Sequence, residues 1–346
     1  MNRTSMNPAL IDAPAPAAPW HAGERDLQAR VGMADRMAQI GAKVIRDHMP
    51  DQHRIFFEQL PFVVAGAVDG QGDPWAGVLE GEPGFLRSPD AMTLQVAAMP
   101  DADDPLRDGL GPDQAVALLG IELHTRRRNR MNGRISAWDG KRFAITVGES
   151  FGNCPQYIQA REFYFSRSPA LRFPAVVQPR TGLDEADRAL ITRSDTLFVA
   201  SYADTDAGAS PQAPSEAGAA RRVDVSHRGG KPGFVRVDGD TLTIPDFSGN
   251  RFFNTLGNLM VNPRAGLLFI DFERGDVLQV SGRAEVVLDS PEIAAFEGAE
   301  RLWRVHVRQV RTRRGALALR WHFGGYSPTA LATGQWPGGV AAQGMP

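Results

Sequence analysis

The 346-residue chain has a single cysteine, Cys154. One thiol excludes an intrachain disulfide and a cysteine-rich zinc or iron–sulfur site, and it fits a reducing compartment. No stretch approaches the roughly 18 apolar residues that a membrane-spanning helix needs. The N-terminus lacks a charged segment followed by an apolar run, so no secretory leader is read and a cytoplasmic location is expected. Neither charge is in surplus, with 38 basic residues against 40 acidic ones. That balance argues against a protein that coats nucleic acid or an anionic membrane. The seven histidines show no H-x-x-x-H spacing, so no metal site is expected. No serine sits in a G-x-S-x-G elbow. The Gly-rich stretch Gly229 to Gly233 is not a G-x-G-x-x-G entering a helix, which leaves a Rossmann site unsupported.

What is present suits about two domains of roughly 150 residues each, and 42% hydrophobic residues give each half a core. Residues 1–20, rich in Ala and Pro, read as a disordered tail. Residues 22–48 read as one helix: Val31, Ala34, Met37, Ile40, Val44 and Ile45 recur at three- and four-residue steps before Pro50 stops the run. From Phe56 onward, short β-branched runs alternate with Gly, Asp and Pro turns, the rhythm of an antiparallel barrel or sandwich. A helix is expected over 184–193, a flexible loop over 204–220, and an irregular tail over 331–346. The basic stretches His124 to Arg130 and Arg304 to Arg314 read as exposed strand faces, with Val305, Val307 and Val310 turned inward. They lack the interleaved aromatics of a nucleic-acid site.

An internal repeat organises the chain. Pro83-Gly84-Phe85 recurs as Pro232-Gly233-Phe234, and Arg87 recurs as Arg236. Leu118-Leu119 with Ile121 recurs as Leu267-Leu268 with Ile270, and Gly133-Arg134 as Gly282-Arg283. Every pair is 149 positions apart, and Glu122 answers Asp271 at the same offset. The alternative, two unrelated β-domains with similar turns, does not explain four clusters in one frame. Mainly β architecture follows, with a helix over 21–50, a first barrel over 51–180 and a second over 181–330.

Two copies invite comparison. Trp75 to Glu82 in the first copy answers Asp224 to Lys231 in the second, where apolar and acidic groups give way to hydroxyl, imidazole, guanidinium and ammonium. Residues 221–236 hold five cations and one carboxylate. Arg supplies a planar fork, Ser a hydroxyl, and Gly lets backbone N–H groups approach, which is what a phosphate needs. A solvated basic hairpin is the competing reading. After the strand Thr241 to Ile244 comes the donor-rich turn Pro245 to Arg251, then a short helical stretch, Phe252 to Met260, whose N-terminus can receive a phosphate.

Asn262-Pro263-Arg264, the apolar strand Ala265 to Phe272, and Leu278-Gln279-Val280-Ser281-Gly282-Arg283-Ala284 follow in order. This succession resembles the pyridoxamine 5′-phosphate oxidase-like, FMN-binding split-barrel family, closely over residues 190–325 and more loosely over 55–165. The segment Ser150 to Ile158 is similar to the one that closes many of these domains. The resemblance implies two tandem split β-barrel domains with peripheral helices, and FMN where two barrels meet. Either the fused copies supply both walls of one site or two chains pair as a homodimer. It further implies cofactor contacts from Arg222, Val225, Ser226, His227 and Arg228 along the ring. Pro245 and Asp246 would lie near the ring edge, and Asn250, Arg251 and Asn254 toward the phosphate. One departure stands out: relatives often carry a Ser/Arg-Lys pair after the polar turn, where this chain has Gly249-Asn250-Arg251.

The function so implied is an FMN-dependent oxidoreductase with NAD(P)H or a small organic substrate as partner. The alternatives are a non-catalytic flavin or nucleotide carrier and a barrel holding haem or a deazaflavin. No catalytic acid or base is identified. His227 is the best candidate, though a hydrogen bond to the flavin is the simpler role for it. Cys154, beside Pro155, reads as a packed residue.

Overall fold

The computed structural model describes residues 19–171, 177, 179–204 and 221–336. The expected disordered tail over 1–20 lies outside these residues except for Pro19 and Trp20, the loop over 204–220 except for Asp204, and the C-terminal tail beyond residue 336.

The chain enters through helices. His21 caps α1 (Ala22–Arg30): its ring accepts the Gly23 N–H, and Glu24 accepts the His21 N–H in return, a reciprocal pair that satisfies two orphan donors. The single helix expected over 22–48 is interrupted. Gly32 takes φ +68, a left-handed conformation that Gly adopts without strain, and the chain restarts as α2 (Ala34–Val44). Apolar periodicity continues across this break, which is why spacing alone did not reveal it. A third helix, α3 (Asp51–Glu58), follows Pro50.

Seven strands form the first sheet: β1 (Phe62–Val68), β2 (Pro74–Glu80), β3 (Leu86–Asp90), β4 (Thr93–Val96), β5 (Ala115–Glu122), β6 (Arg127–Trp138) and β7 (Phe143–Gly152), in the order β2-β1-β5-β6-β7-β4-β3. After β8 (Ala160–Phe165) and α4 (Glu185–Arg193), a second sheet repeats that order. Its members are β9 (Thr196–Asp204), β10 (Arg221–Gly229), β11 (Arg236–Asp238), β12 (Thr241–Phe247), β13 (Arg264–Asp271), β14 (Asp276–Val287) and β15 (Ala299–Arg313), in the order β10-β9-β13-β14-β15-β12-β11. The helix α5 (Asn254–Val261) lies between β12 and β13. The mainly β architecture with two split-barrel sheets is thus the observed one.

Strand register supports the repeat. The limits of β5 and β13, and of β6 and β14, lie 149 positions apart. Val64 pairs with Val78 in one sheet, and Phe198 pairs with His227 in the other. Val78 and His227 therefore occupy equivalent positions, as the sequence offset requires. The expected boundary near residue 180 is crossed by one feature: β8 pairs with β16 (Leu319–Gly325) in a separate two-stranded ribbon. A short helix, α6 (Pro328–Leu331), follows β16.

Each barrel has its own apolar interior. Val63, Ala65 and Ala67 of β1 point into the first, with Leu118 and Met131. The alternate residues of the same strand, Phe62, Val64 and Val68, pack against Phe198, Ala200, Val225 and Leu268 of the other barrel. Every residue of β1 is buried, because side chains of a strand alternate and both faces are covered. The barrels are thus joined through an apolar interface, and burial on this scale stabilises by roughly 25 cal/mol per Å² of apolar surface.

Candidate functional site: an arginine-lined cleft between the barrels

At one edge of that interface the apolar contacts stop and a polar cleft opens. It encloses about 100 Å³ and is walled by both barrels. The second barrel provides Ser226 to Gly229 of β10, Pro245 to Phe247 of β12, the turn Ser248 to Arg251, the start of α5 and Arg301 of β15. The first barrel provides Arg128 and Arg130 of β6 and Asn153, Cys154, Gln156 and Tyr157 of the segment after β7.

Of the ten residues expected at a cofactor, eight line this cleft: Ser226, His227, Arg228, Pro245, Asp246, Asn250, Arg251 and Asn254. Arg222 and Val225 do not. Strand alternation turns Val225 into the inter-barrel core, and Arg222 ion-pairs with Glu149 beside another groove. Two of the eight are already engaged. Arg251 bonds both Glu300 oxygens at 2.6 and 2.8 Å, and Asn254 Nδ2 donates to Glu24 Oε1 at 2.6 Å.

The first-barrel wall corrects the sequence reading. Only part of His124 to Arg130 is an exposed face: His124, Thr125 and Arg127 are exposed, but Arg130 is 3% exposed and Arg128 is only partly accessible. Arg130 crosses to the second barrel, where Nη1 donates to Asp224 Oδ1 at 2.8 Å and Nη2 donates to the Ser226 hydroxyl. Arg128 Nε donates to the Cys154 carbonyl at 2.8 Å. Cys154 is half-buried on the cleft wall. The other basic stretch also has an inward member, since Arg313 is buried against Asp101, Asp103 and Asp104.

Electrostatics in the cleft favour an electron-rich guest. Arg128 is pushed down to about 9 by burial and by the neighbouring Arg228 and Arg130. Arg228 is lowered for the same reasons, burial first, although Asp246 offsets part of it. Burial and the surrounding guanidiniums hold His227 well below its ordinary value, so its imidazole is neutral at physiological pH. Arg128 Nη1 lies 3.3 Å from His227 Nδ1. A guanidinium has only donors, so Nδ1 accepts and Nε2 carries the hydrogen.

Several buried polar atoms here have no partner among the described residues: Arg130 Nε, Asn153 Nδ2, His227 Nε2, Arg228 Nε and Thr255 Oγ1. Four are N–H donors and the fifth is a hydroxyl. Leaving such groups unmade costs about 1–3 kcal/mol each. Beside them α5 begins without a side-chain cap, which leaves its first N–H groups directed at the cleft rim. Three of the five non-glycine residues with left-handed backbone among the described residues, Tyr157 (+63), Arg251 (+63) and Phe253 (+60), also lie here. Strain of this kind persists where the surroundings enforce it, commonly at functional sites.

The repeat creates a second, equivalent place, and it is closed. Gly77, Val78 and Leu79 stand where Ser226, His227 and Arg228 stand, while Val277 and Gln279 replace Arg128 and Arg130. The 3-10 turn Pro105–Gly109 covers it. A Cβ on Gly77 would come within 2.9 Å of Leu106 Cδ2. Gln279 Nε2 donates to Ala76 O and Asp104 Oδ1, and Asp104 takes Arg313 Nη1 at 2.9 Å.

Glu80, within the first-copy stretch Trp75 to Glu82, is buried and accepts the Ala318 and Leu319 N–H groups. Across the β5–β6 pair Arg130 stands opposite Leu119 and Arg128 opposite Ile121, so the guanidiniums share a face with apolar neighbours. Only the opposing barrel shows that their face is covered. No group of metal-ligating side chains is found among the described residues, and no described helix is long and apolar enough to cross a membrane.

Comparisons place this site in context. Residues 183–322 match the family model for pyridoxamine 5′-phosphate oxidase. Among solved structures, similar chains include HupZ of Group A Streptococcus (15% identity, 37% of this chain and 91% of that one, TM-score 0.27). An FAD-binding protein of Mesorhizobium loti is also similar (13%, 40% and 99%, TM-score 0.25), as is the FAD-binding protein of Mycobacterium smegmatis (16%, 39% and 98%, TM-score 0.23). No curated protein matches the chain. The segment that supplies β10, β12, α5 and Arg301 to the cleft is the matched one.

Proposed function

We infer that the cleft holds a flavin, FMN in the first instance, and that the protein is a flavin-dependent oxidoreductase. Hydride or electrons would pass between the flavin and a reduced nicotinamide or a small organic substrate. The observation that carries this is the surplus of buried donors. A flavin presents carbonyl oxygens, ring nitrogens and a phosphate, which are acceptors, to a cleft whose unpartnered atoms are N–H groups and one hydroxyl. The match of residues 183–322 to the pyridoxamine 5′-phosphate oxidase family model adds to it.

Arg228 Nε, Arg130 Nε and His227 Nε2–H would bond the ring's acceptors, and the Thr255 hydroxyl with the open end of α5 would take the phosphate. Thr255 suits that task better than Arg251 or Asn254, whose side chains are engaged. When bound, the flavin supplies the redox chemistry itself. His227 acts as a neutral donor and not as a general acid, because protonating it would add charge beside Arg128 and Arg228. The enclosed 100 Å³ is below the roughly 300–1,000 Å³ of small-molecule pockets. Both walls come from one chain, so this site needs no second protomer.

The test is the purified full-length chain and its absorption spectrum. A flavin band with released FMN is expected, and bleaching by NADH or NADPH separates an oxidoreductase from a carrier. Arg128→Ala and Arg228→Ala should each lower flavin content, while Glu82→Gln, at an exposed position, should leave it unchanged. Equal flavin retention in all three would overturn the placement, and a Soret band would replace flavin with haem.

A further inference from the structure

A second concave site lies away from the cleft, between the β8–β16 ribbon, the end of α4 and the turn after β13. The groove has a volume of about 510 Å³, within the range of small-molecule pockets. Its key residue is Arg161 of β8, which is 7% exposed. Arg161 Nη2 bonds both Asp195 oxygens at 2.8 and 2.7 Å. Its guanidinium lies 4.1 Å from the Phe272 ring centroid and 5.4 Å from that of Phe323. Nη1 is buried and has no acceptor among the described residues.

That orphan donor is informative. A guanidinium satisfied on one edge by a carboxylate and flanked by two rings is held in a fixed orientation. The free edge of such a group favours an acceptor, most of all an anionic one. Two of the three carboxylates on the groove are spoken for, Asp195 by Arg161 and Asp271 by Arg193 at 2.8 Å, and the third, Glu273, is exposed. Arg274, exposed on the same groove, makes no ion pair among the described residues and adds a second cation. Phe323, half exposed, and Tyr326, packed edge-on against it at 4.7 Å, supply aromatic surface beside those charges.

We propose that this groove binds a small planar aromatic anion, such as an arylcarboxylate. The carboxylate would accept from Arg161 Nη1 and face Arg274, and the ring would lie against Phe323. The inference is independent of the flavin reading, since none of these residues lines the cleft.

The test is titration of the full-length protein with salicylate, followed calorimetrically, with phenol as the uncharged control. Saturable one-to-one binding is expected, at least tenfold tighter than phenol. Arg274→Gln and Phe323→Ala, both at exposed positions, should each weaken it about tenfold. Arg161→Lys, which can keep the Asp195 pair but loses Nη1, should weaken it further. Flavin content and the flavin spectrum should not change in Arg274→Gln or Phe323→Ala. Absence of saturable binding, equal affinity for phenol, or salicylate binding that survives all three substitutions would overturn the proposal. Salicylate that displaces flavin while ignoring these variants would assign the binding to the cleft instead.

Discussion

Replacing Arg130 with methionine should cost about 3–5 kcal/mol of stability, because the change leaves a buried carboxylate without its cation. Arg130 belongs to the first barrel and Asp224 to the second, and their side chains are 4% and 8% exposed in a 2.8 Å pair. Methionine retains packing against Phe151, over which the guanidinium sits at 5.2 Å. Asp224 would keep only two amide donors, Asn132 Nδ2 at 3.0 Å and Asn258 Nδ2 at 3.2 Å. Asp224→Asn makes the opposite error and strands the guanidinium. The double variant removes both charges, so its loss should fall short of the sum by about 1–3 kcal/mol. At roughly 2 °C per kcal/mol for a chain of this size, each single change lowers Tm by about 6–10 °C. Thermal unfolding of the four proteins at one pH reads the cycle directly. Single losses under about 1 kcal/mol with an additive double would mean that water reaches the pair and that it does not join the barrels.

The remaining tests address separate parts of the molecule. Glu24, 1% exposed, is pushed up to about 8 by burial and then by the Asp224 charge. Folding therefore binds a proton: the contribution is full below about pH 4.5, falls as pH rises, and is gone above about pH 8. Glu24→Gln should flatten the decline of Tm between about pH 5.5 and 9, and an unchanged slope would exclude Glu24 as its source. Leu106→Ala should destabilise by about 2–5 kcal/mol through a cavity over Gly77 while leaving bound flavin per chain unchanged. A gain of a second flavin would show that the turn only masks a competent site. His227→Gln should weaken flavin binding by a similar factor at about pH 6 and pH 8, since the neutral ring does not titrate between them. A loss confined to the lower pH would indicate a charged imidazole.

Much of the fold was legible because the repeat is carried by contiguous blocks. β5 with β13 and β6 with β14 keep one offset and the same limits, so matched dipeptides mark matched strands. The offset does not extend to β1 and β9. Gly66 pairs with Ala117 where Ala200 pairs with Gly266, a shift of 134 positions, because residues 205–220 intervene before β10. Comparing copies also located β10 correctly as the strand whose side chains changed character. It could not divide that strand by face: Ser226 and Arg228 reach the cleft while Val225 enters the interface. That division depends on what packs opposite, which local sequence does not state.

The same limit explains the missed wall. Arg128 and Arg130 sit in a strand that also holds Arg127 and Asn129, and such a run reads as solvated by every local rule. The guanidiniums are tolerable in a buried setting only because a second barrel brings Asp224, Ser226 and the His227 ring to meet them. At the equivalent place that bargain is absent: Gln279 stands for Arg130, and Leu106 takes up the space over Gly77. Fusion frees the two interfaces of a twofold pair to diverge, since a substitution in one copy is no longer imposed on the other. One of the two places is filled and its polar groups, Gln279, Asp104 and Arg313, satisfy one another, while the other holds donors that nothing among the described residues completes.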